Sequence, residues 1–193
     1  MDCEKIGALI YNLRLEKGLT QKQLADLMHI SDKTVSKWER GMGCPDVSLL
    51  SELSNIFGVD TERILSGSLD SNEIDGGNIK KTKFYVCPNC ANTTIMTGEA
   101  DLSCCGRKLT ALTAKLAQPP HHINVEEIED DYYITFSHTM TKNHYLTFIA
   151  YVSYDRFLYV KLYPEQSSEV RFPKMQGGRF YFHCNQHGLW VSI

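Results

Sequence analysis

The sequence of 193 residues predicts a multidomain α plus β chain: a five-helix bundle, a small ribbon built on four cysteines, and an antiparallel β-sandwich. Three observations predict it. Apolar residues recur at helical spacing near the start, in Ile6, Leu9, Ile10 and Leu13 and then in Leu24, Leu27 and Met28. Cys87, Cys90, Cys104 and Cys105 stand as two pairs flanking a short polar stretch. Beyond Pro119-Pro120 the pattern changes to period two, with Tyr133 and Thr135 against Ile134 and Phe136. The expected boundaries are 1–66 for the bundle, 67–83 for a flexible linker, 84–116 for the four-cysteine module and 117–193 for the sandwich.

The helices can be justified in order. Thr20-Gln21-Lys22-Gln23 fits a capping box, in which the Thr20 hydroxyl and the Gln23 amide close a helix start reciprocally. Ser31 is placed to cap a third helix and Gly41 to end it. Asp46 after Pro45 opens a fourth through Phe57, and Asp60 opens a short fifth to Leu65. Val35 and Trp38, three apart, should face the core and leave Asp32, Lys33, Thr34, Ser36 and Lys37 outside.

Thr20 to Ala25, followed by Ser31-Asp32-Lys33-Thr34-Val35-Ser36-Lys37-Trp38-Glu39-Arg40-Gly41, resembles the helix-turn-helix of the lambda repressor/Cro-type family. That resemblance implies a double-stranded DNA operator as partner, with the second helix of the motif in the major groove. It makes Lys33, Thr34, Ser36 and Lys37 candidates for base or phosphate contact, with Gln21 and Gln23 nearer the backbone. Residues 1–65 carry eight Lys plus Arg against ten Asp plus Glu, a net charge of minus two. Phosphate neutralisation dominates non-specific DNA affinity, so a monomer should bind weakly and a homodimer on a two-fold operator is expected.

The stretch 66–83, which spans the linker, is rich in Gly, Ser, Asn and charge and has no apolar periodicity. After it, Phe84-Tyr85-Val86-Cys87-Pro88-Asn89-Cys90 and Leu102-Ser103-Cys104-Cys105-Gly106 provide two cysteine turns, a four-thiolate site of the kind zinc or iron occupies. Adjacent cysteines are uncommon in plain zinc ribbons, and the pattern resembles desulforedoxin, which implies iron. Either metal would hold together a segment too small for its own apolar core. In the sandwich, runs at 145–153, 156–163 and 179–183 read as strands, separated by turns such as Tyr154-Asp155 and Gln176-Gly177-Gly178.

Six of the seven histidines fall between His121 and His187, together with Cys184, and imidazole plus thiolate suits iron, zinc or copper. His138-Thr139-Met140, His144-Tyr145 and Cys184-Asn185-Gln186-His187-Gly188-Leu189-Trp190 resemble, in order, the iron domain of the superoxide reductase (desulfoferrodoxin and neelaredoxin) family. The resemblance covers 119–193 and implies an immunoglobulin-like sandwich holding one ferrous/ferric iron between four imidazoles and an axial thiolate. Carried over, the ligands are His122, His138, His144, His187 and Cys184. His121 and His122 compete for one position, and the family pattern matches His122-Ile123-Asn124-Val125. His183 should face away from Cys184 and be structural, and His29 lies far from any ligand cluster. Asn185 and the backbone after it are the expected donors to the Cys184 sulfur.

The chain departs from that family before its first ligand. A Glu-Lys pair is common there, and this sequence has Pro120-His121, which leaves His121 as candidate anion guide or proton donor. Two function classes follow. One is a transcription regulator whose iron senses superoxide or redox state. The other is an enzyme, a superoxide reductase carrying a fused helix-turn-helix. A lesser reading fills both sites with structural zinc.

Whole-chain properties bound these readings. The net charge is −3 and 42% of residues are hydrophobic, an ordinary composition for a water-soluble chain. No apolar run is long enough to span a bilayer and no secretory leader is evident, so a cytoplasmic protein without membrane contact is expected. Seven cysteines in a reducing compartment point to metal, and the odd count argues against full pairing.

Overall fold

The computed structural model describes residues 2–72, 74 and 79–192. The chain forms two compact units, 1–71 and 72–193. In the first unit four of the five helices begin at a side chain that satisfies orphan backbone N–H groups, whereas Asp60, before the fifth, makes no such bond. Helix α1 (Cys3–Glu16) starts where the Asp2 carboxylate accepts from the Glu4 and Lys5 amides, and α2 (Gln21–Leu27) carries the complete Thr20/Gln23 box. Ser31 accepts from Thr34 at the start of α3 (Asp32–Glu39), and Asp46 accepts from Ser48 at the start of α4 (Val47–Phe57). Helix α5 (Thr61–Ser66) ends at Gly67, where φ is +73° and a Cβ would stand 2.6 Å from that of Lys5. Only glycine meets both conditions.

Ile6, Ile10, Leu24, Val35, Trp38, Leu50, Leu53 and Ile64 form one buried core. Burying an aliphatic side chain of this size contributes roughly 1.5–3 kcal/mol. Leu27, expected in the apolar stripe of α2, is half exposed at the end of that helix. Arg14 is buried at the edge of the core. Its Nε and a terminal nitrogen donate to the Glu39 carboxylate at 2.5 and 3.0 Å, and the other terminal nitrogen donates to the Leu19 carbonyl at 2.7 Å. Removing either partner would leave a buried charge uncompensated.

The second unit opens with a 3-10 turn at Ile79–Lys81 and the hairpin β1 (Lys83–Val86) with β2 (Thr93–Met96). A second hairpin pairs β3 (Leu102–Cys104) with β4 (Arg107–Leu109). The remaining strands are β5 (Lys115–Leu116), β6 (Ile123–Ile128), β7 (Asp131–Phe136), β8 (Leu146–Val152), β9 (Phe157–Lys161), β10 (Glu169–Pro173), β11 (Arg179–Cys184) and β12 (Gly188–Val191). They form a three-stranded sheet, β10-β7-β6, and a five-stranded sheet, β5-β12-β11-β8-β9. All pairings in these two sheets are antiparallel except β12 with β5, which is parallel and which the antiparallel expectation missed.

Contacts are described within the expected linker. The Asn72 amide donates to the Glu99 carbonyl, Ile79 to Lys81 make the 3-10 turn, and residues 73 and 75–78 lie outside the described residues. The period-two reading fails along β8, where every residue is buried. Ile149 and Tyr151 enter the core between the sheets, whereas Phe148, Ala150 and Val152 pack with Phe84, Ile95 and Leu112 of the cysteine module. The module covers the outer face of the sheet, so β8 has no solvent side and carries no polar alternation.

Candidate metal centres and nucleic-acid interface

His121, His138, His144, His187 and Cys184 converge, with one potential ligand atom from each lying within 4.8 Å of the others. The strands place them. His121 stands at the entry to β6, where its backbone bridges Gln118. His138 and His144 lie on the loop between β7 and β8, Cys184 ends β11, and His187 follows in the turn to β12. Ring centroids trace a near-square, with sides 121–138 of 4.9 Å, 138–144 of 4.6 Å, 144–187 of 5.0 Å and 187–121 of 4.7 Å, and a 121–144 diagonal of 6.4 Å.

The hydrogen bonds around this square leave two nitrogens bare, those of His138 and His144. His138 Nδ1 donates to the Thr139 carbonyl at 2.7 Å, and His144 Nδ1 lies 3.0 Å from the Thr139 hydroxyl. With Nδ1 so engaged, His138 keeps a lone pair on Nε2. The Nε2 atoms of His138 and His144 are buried without a hydrogen-bond partner. His121 Nε2 and His187 Nδ1 stand 3.1 Å apart, and His187 Nδ1 is 3.3 Å from Cys184 Sγ. Two nitrogens at that spacing, on adjacent corners of a square, are each about 2.2 Å from its centre, near the ~2.0–2.1 Å of a zinc–imidazole bond. Two orphaned buried nitrogens, on His138 and His144, beside two donors at this spacing fit a metal ion.

Electrostatics favour neutral imidazoles at His121 and His138. Burial, with the neighbouring His138, His187 and His144, pushes His121 down to about 4, and burial also lowers His138. Burial raises the Cys184 thiol, opposed by backbone N–H donation from Gln186 and His187. A cation at the centre would favour the thiolate. The expected backbone donors are therefore present. The Asn185 side chain serves another purpose: it accepts from the Tyr145 amide at 3.0 Å and donates to the Asn143 carbonyl at 3.0 Å, pinning the loop that carries His144.

One sequence assignment is corrected. His122 is exposed and outside the group, and His121 occupies the place expected for it. Side chains alternate along a strand, and the buried Ile123 puts His121 in phase with the core and His122 on the outer face. His122 lines a shallow surface depression with Asn124, Thr135, Phe136 and Ser137. His121 is accordingly one of the gathered donors and not a free cationic guide. It stacks on Trp190 at 4.4 Å and 5°, a contact the sequence reading missed. His183 behaves as expected: it turns from Cys184 to Thr147, 2.8 Å from its Nδ1, stacks on Phe148, and is pushed by burial to about 4.

Cys87, Cys90, Cys104 and Cys105 form the second group. Cys87 and Cys90 lie on the turn after β1, Cys104 ends β3, and Cys105 adopts φ +51° in the turn before β4. Cys90 and Cys104 sulfurs are 3.6 Å apart. Backbone N–H groups of Cys90 and Asn89 hold Cys87 down to about 6, while hydrogen bonding to Cys90 and the other sulfurs pushes Cys105 up to about 12. Sulfurs this close share protons when no cation is present, and a metal would replace those protons.

In the helical unit Lys33 and Lys37 are exposed on α3, Thr34 and Ser36 are half-buried, and Val35 and Trp38 point into the core as expected. Gln21 Nε2 donates to Glu39 at 2.7 Å, and Gln23 Oε1 accepts from the Thr20 amide at 2.8 Å, so both glutamines also brace the start of α2.

Comparison with known proteins divides the chain in the same way. Desulfoferrodoxin of Clostridium acetobutylicum is 31% identical over 117 residues, covering 56% of this chain and 94% of that protein. The chain belongs to the desulfoferrodoxin family. In this chain the helix-turn-helix family model matches residues 10–64. The HTH-type transcriptional activator BcrR of Enterococcus faecalis is 37% identical over 81 residues, 40% of this chain, and the chain spans only 39% of that relative. The superoxide reductase from Treponema pallidum is similar over 57% of this chain and 96% of its own, at 20% identity and a TM-score of 0.49. The molecule is thus a helix-turn-helix unit fused to a desulfoferrodoxin-like unit with two groups of side chains that could hold a metal. No helix among the described residues is long and apolar enough to cross a membrane.

Proposed function

We propose that this chain is a cytoplasmic transcription regulator whose desulfoferrodoxin-like unit senses superoxide or redox state. Iron would be held by His121, His138, His144, His187 and Cys184, and iron or zinc by Cys87, Cys90, Cys104 and Cys105. The observation that carries the reading is the square of four imidazoles with bare inward nitrogens on His138 and His144. Iron there would supply one-electron chemistry towards superoxide.

The chain's own residues support that chemistry. Thr139 orients two imidazoles through its carbonyl and hydroxyl. The Gln186 and His187 amides temper the electron density on the Cys184 sulfur. His187 is exposed and His144 half-buried, so a small anion reaches the group from that side. Lys115, whose Nζ donates to the His187 carbonyl at 3.2 Å, brings positive charge there.

The DNA side of the proposal rests on α3. Lys33, Thr34, Ser36 and Lys37 would meet bases or phosphates of a double-stranded operator, with Gln21 and Gln23 at the backbone. The acidic balance of residues 1–65 calls for a homodimer. To test the reading, an operator is selected from random duplexes, and its affinity for ferrous, ferric and metal-free protein is measured. A tenfold or larger difference is expected, on the scale of allosteric coupling of about 1–3 kcal/mol. Equal affinities would remove the sensing role. The complete five-donor group also favours a second reading, a superoxide reductase with a fused DNA-binding unit. Rapid superoxide consumption by protein whose operator affinity ignores the metal would select it.

A further inference from the structure

Five of the seven cysteines belong to the two candidate metal groups, and the remaining two are bonded to each other. Cys3 opens α1, and Cys44 lies between the end of α3 and the start of α4, 41 residues away. The surroundings of this bond show what it holds. Helix α1 lies directly against the C-terminal end of α3: a Cβ on Gly7 would be 1.9 Å from the Trp38 carbonyl oxygen. One turn earlier, a Cβ on Gly41 would be 2.9 Å from Glu4 Cγ, and Gly41 has φ +70°.

The segment Gly41-Met42-Gly43 is fastened by the Gly41–Glu4 contact and by backbone hydrogen bonds. Gly41 and Met42 amides donate back to the Trp38 and Lys37 carbonyls at 2.9 Å each, but two glycines offer no side chain, and Met42 is 59% exposed. Both sulfur-bearing residues are half-buried, open to small solutes.

We propose that Cys3 and Cys44 form a reversible dithiol–disulfide site, oxidised by hydrogen peroxide, whose bond clamps the segment after α3 onto the start of α1. One thiolate attacks an oxygen of the peroxide, the O–O bond breaks, and a sulfenic acid and hydroxide result. The second thiolate displaces hydroxide from that sulfur as the S–S bond forms. With the two thiol protons, the products are one disulfide and two waters. The sulfurs lose two electrons and the peroxide gains them. A dithiol reductant reverses the reaction by exchange and is itself oxidised. The site stands apart from the iron reading, since it requires peroxide from any source and no metal. It places a second, thiol-based response inside the unit that carries the helix-turn-helix.

The test uses full-length, zinc-loaded protein without oxygen, so that iron does not consume the peroxide. After reduction by a dithiol, Cys3 and Cys44 should both take an alkylating label. A few equivalents of hydrogen peroxide should abolish labelling and yield a Cys3–Cys44 linked peptide, while the amides from Trp38 to Cys44 exchange hydrogen at least about tenfold more slowly. The Cys3→Ser, Cys44→Ser double variant should exchange like the reduced protein and ignore peroxide. If that variant does not fold, the wild-type comparison decides alone. Absence of the linked peptide in excess peroxide, or identical exchange in the two wild-type states, would overturn the proposal.

Discussion

The two candidate metal groups of the second unit are built on opposite plans. The five-donor group is closed on one side and open on the other: Cys184 is fully buried and His121 and His138 are 4% and 3% exposed, while His187 is exposed. Its donors stand at the entry to β6, in the loop between β7 and β8, at the end of β11 and just before β12, around a core that includes Ile123, Leu146, Phe182 and Trp190. The four-cysteine group sits on two short hairpins with Cys90 and Cys105 exposed, and its local core is only Tyr85, Cys87 and Leu109 with a few partly buried neighbours. The first group is preorganised by packing that owes nothing to a metal. The second has too little apolar surface to hold its own turns, so a metal there would be part of the fold.

The sharpest way to break this comparison is at the neighbouring histidines. His121→Ala should weaken iron binding at the five-donor group by more than about 100-fold, because even outer-shell changes cost 10–100-fold. His122→Ala should change it less than about twofold, and a chelator competition would separate them. The reverse result would restore the sequence-based assignment. Next in size, Cys90→Ala should empty the four-thiolate site and let the amides of β3 and β4 exchange as in an unstructured chain, while β8 and β11 stay protected. Protection at β3 and β4 without metal would show that the module is held by its seat on the sheet.

A pH titration sharpens the contrast for metal-free protein. His121 and His183 are held at about 4 and His138 is also lowered, against 6.5 for an unburied imidazole. The unfolded chain therefore binds more protons between those values. Stability is fully present above about pH 6.5 and falls as pH drops towards 4. Denaturant unfolding of the second unit should show this loss, with a shallower slope in His183→Gln. The smallest effect is expected from Thr139→Val, which removes the hydroxyl beside His144 and keeps the carbonyl that orients His138. Iron affinity should fall about tenfold, and a change within twofold would show that the loop orients His144 without it.

Much of the fold was legible because local chemistry encodes it. The Thr20/Gln23 box, the Ser31 and Asp46 caps and the Val35/Trp38 pair need only their own neighbours, and each appears where the residues put it. The four cysteines and most of the histidine group were legible as ligand types at short spacing. The continuous burial of β8 was not, because nothing within Leu146–Val152 reveals that the cysteine module will cover the sheet's outer face. Nor was the bond between Cys3 and Cys44, whose 41-residue separation closes only when α1 packs across the end of α3.

His121 marks the boundary between the two kinds of information. Sequence alone determined that imidazole and thiolate would meet in the last third of the chain, since residue type sets ligand chemistry before any fold exists. It even held the phase that places His121, in the alternation with Ile123 and Val125. Tertiary structure decided which of two adjacent histidines turns inward, because a strand's inner face is defined only by the sheet packed against it.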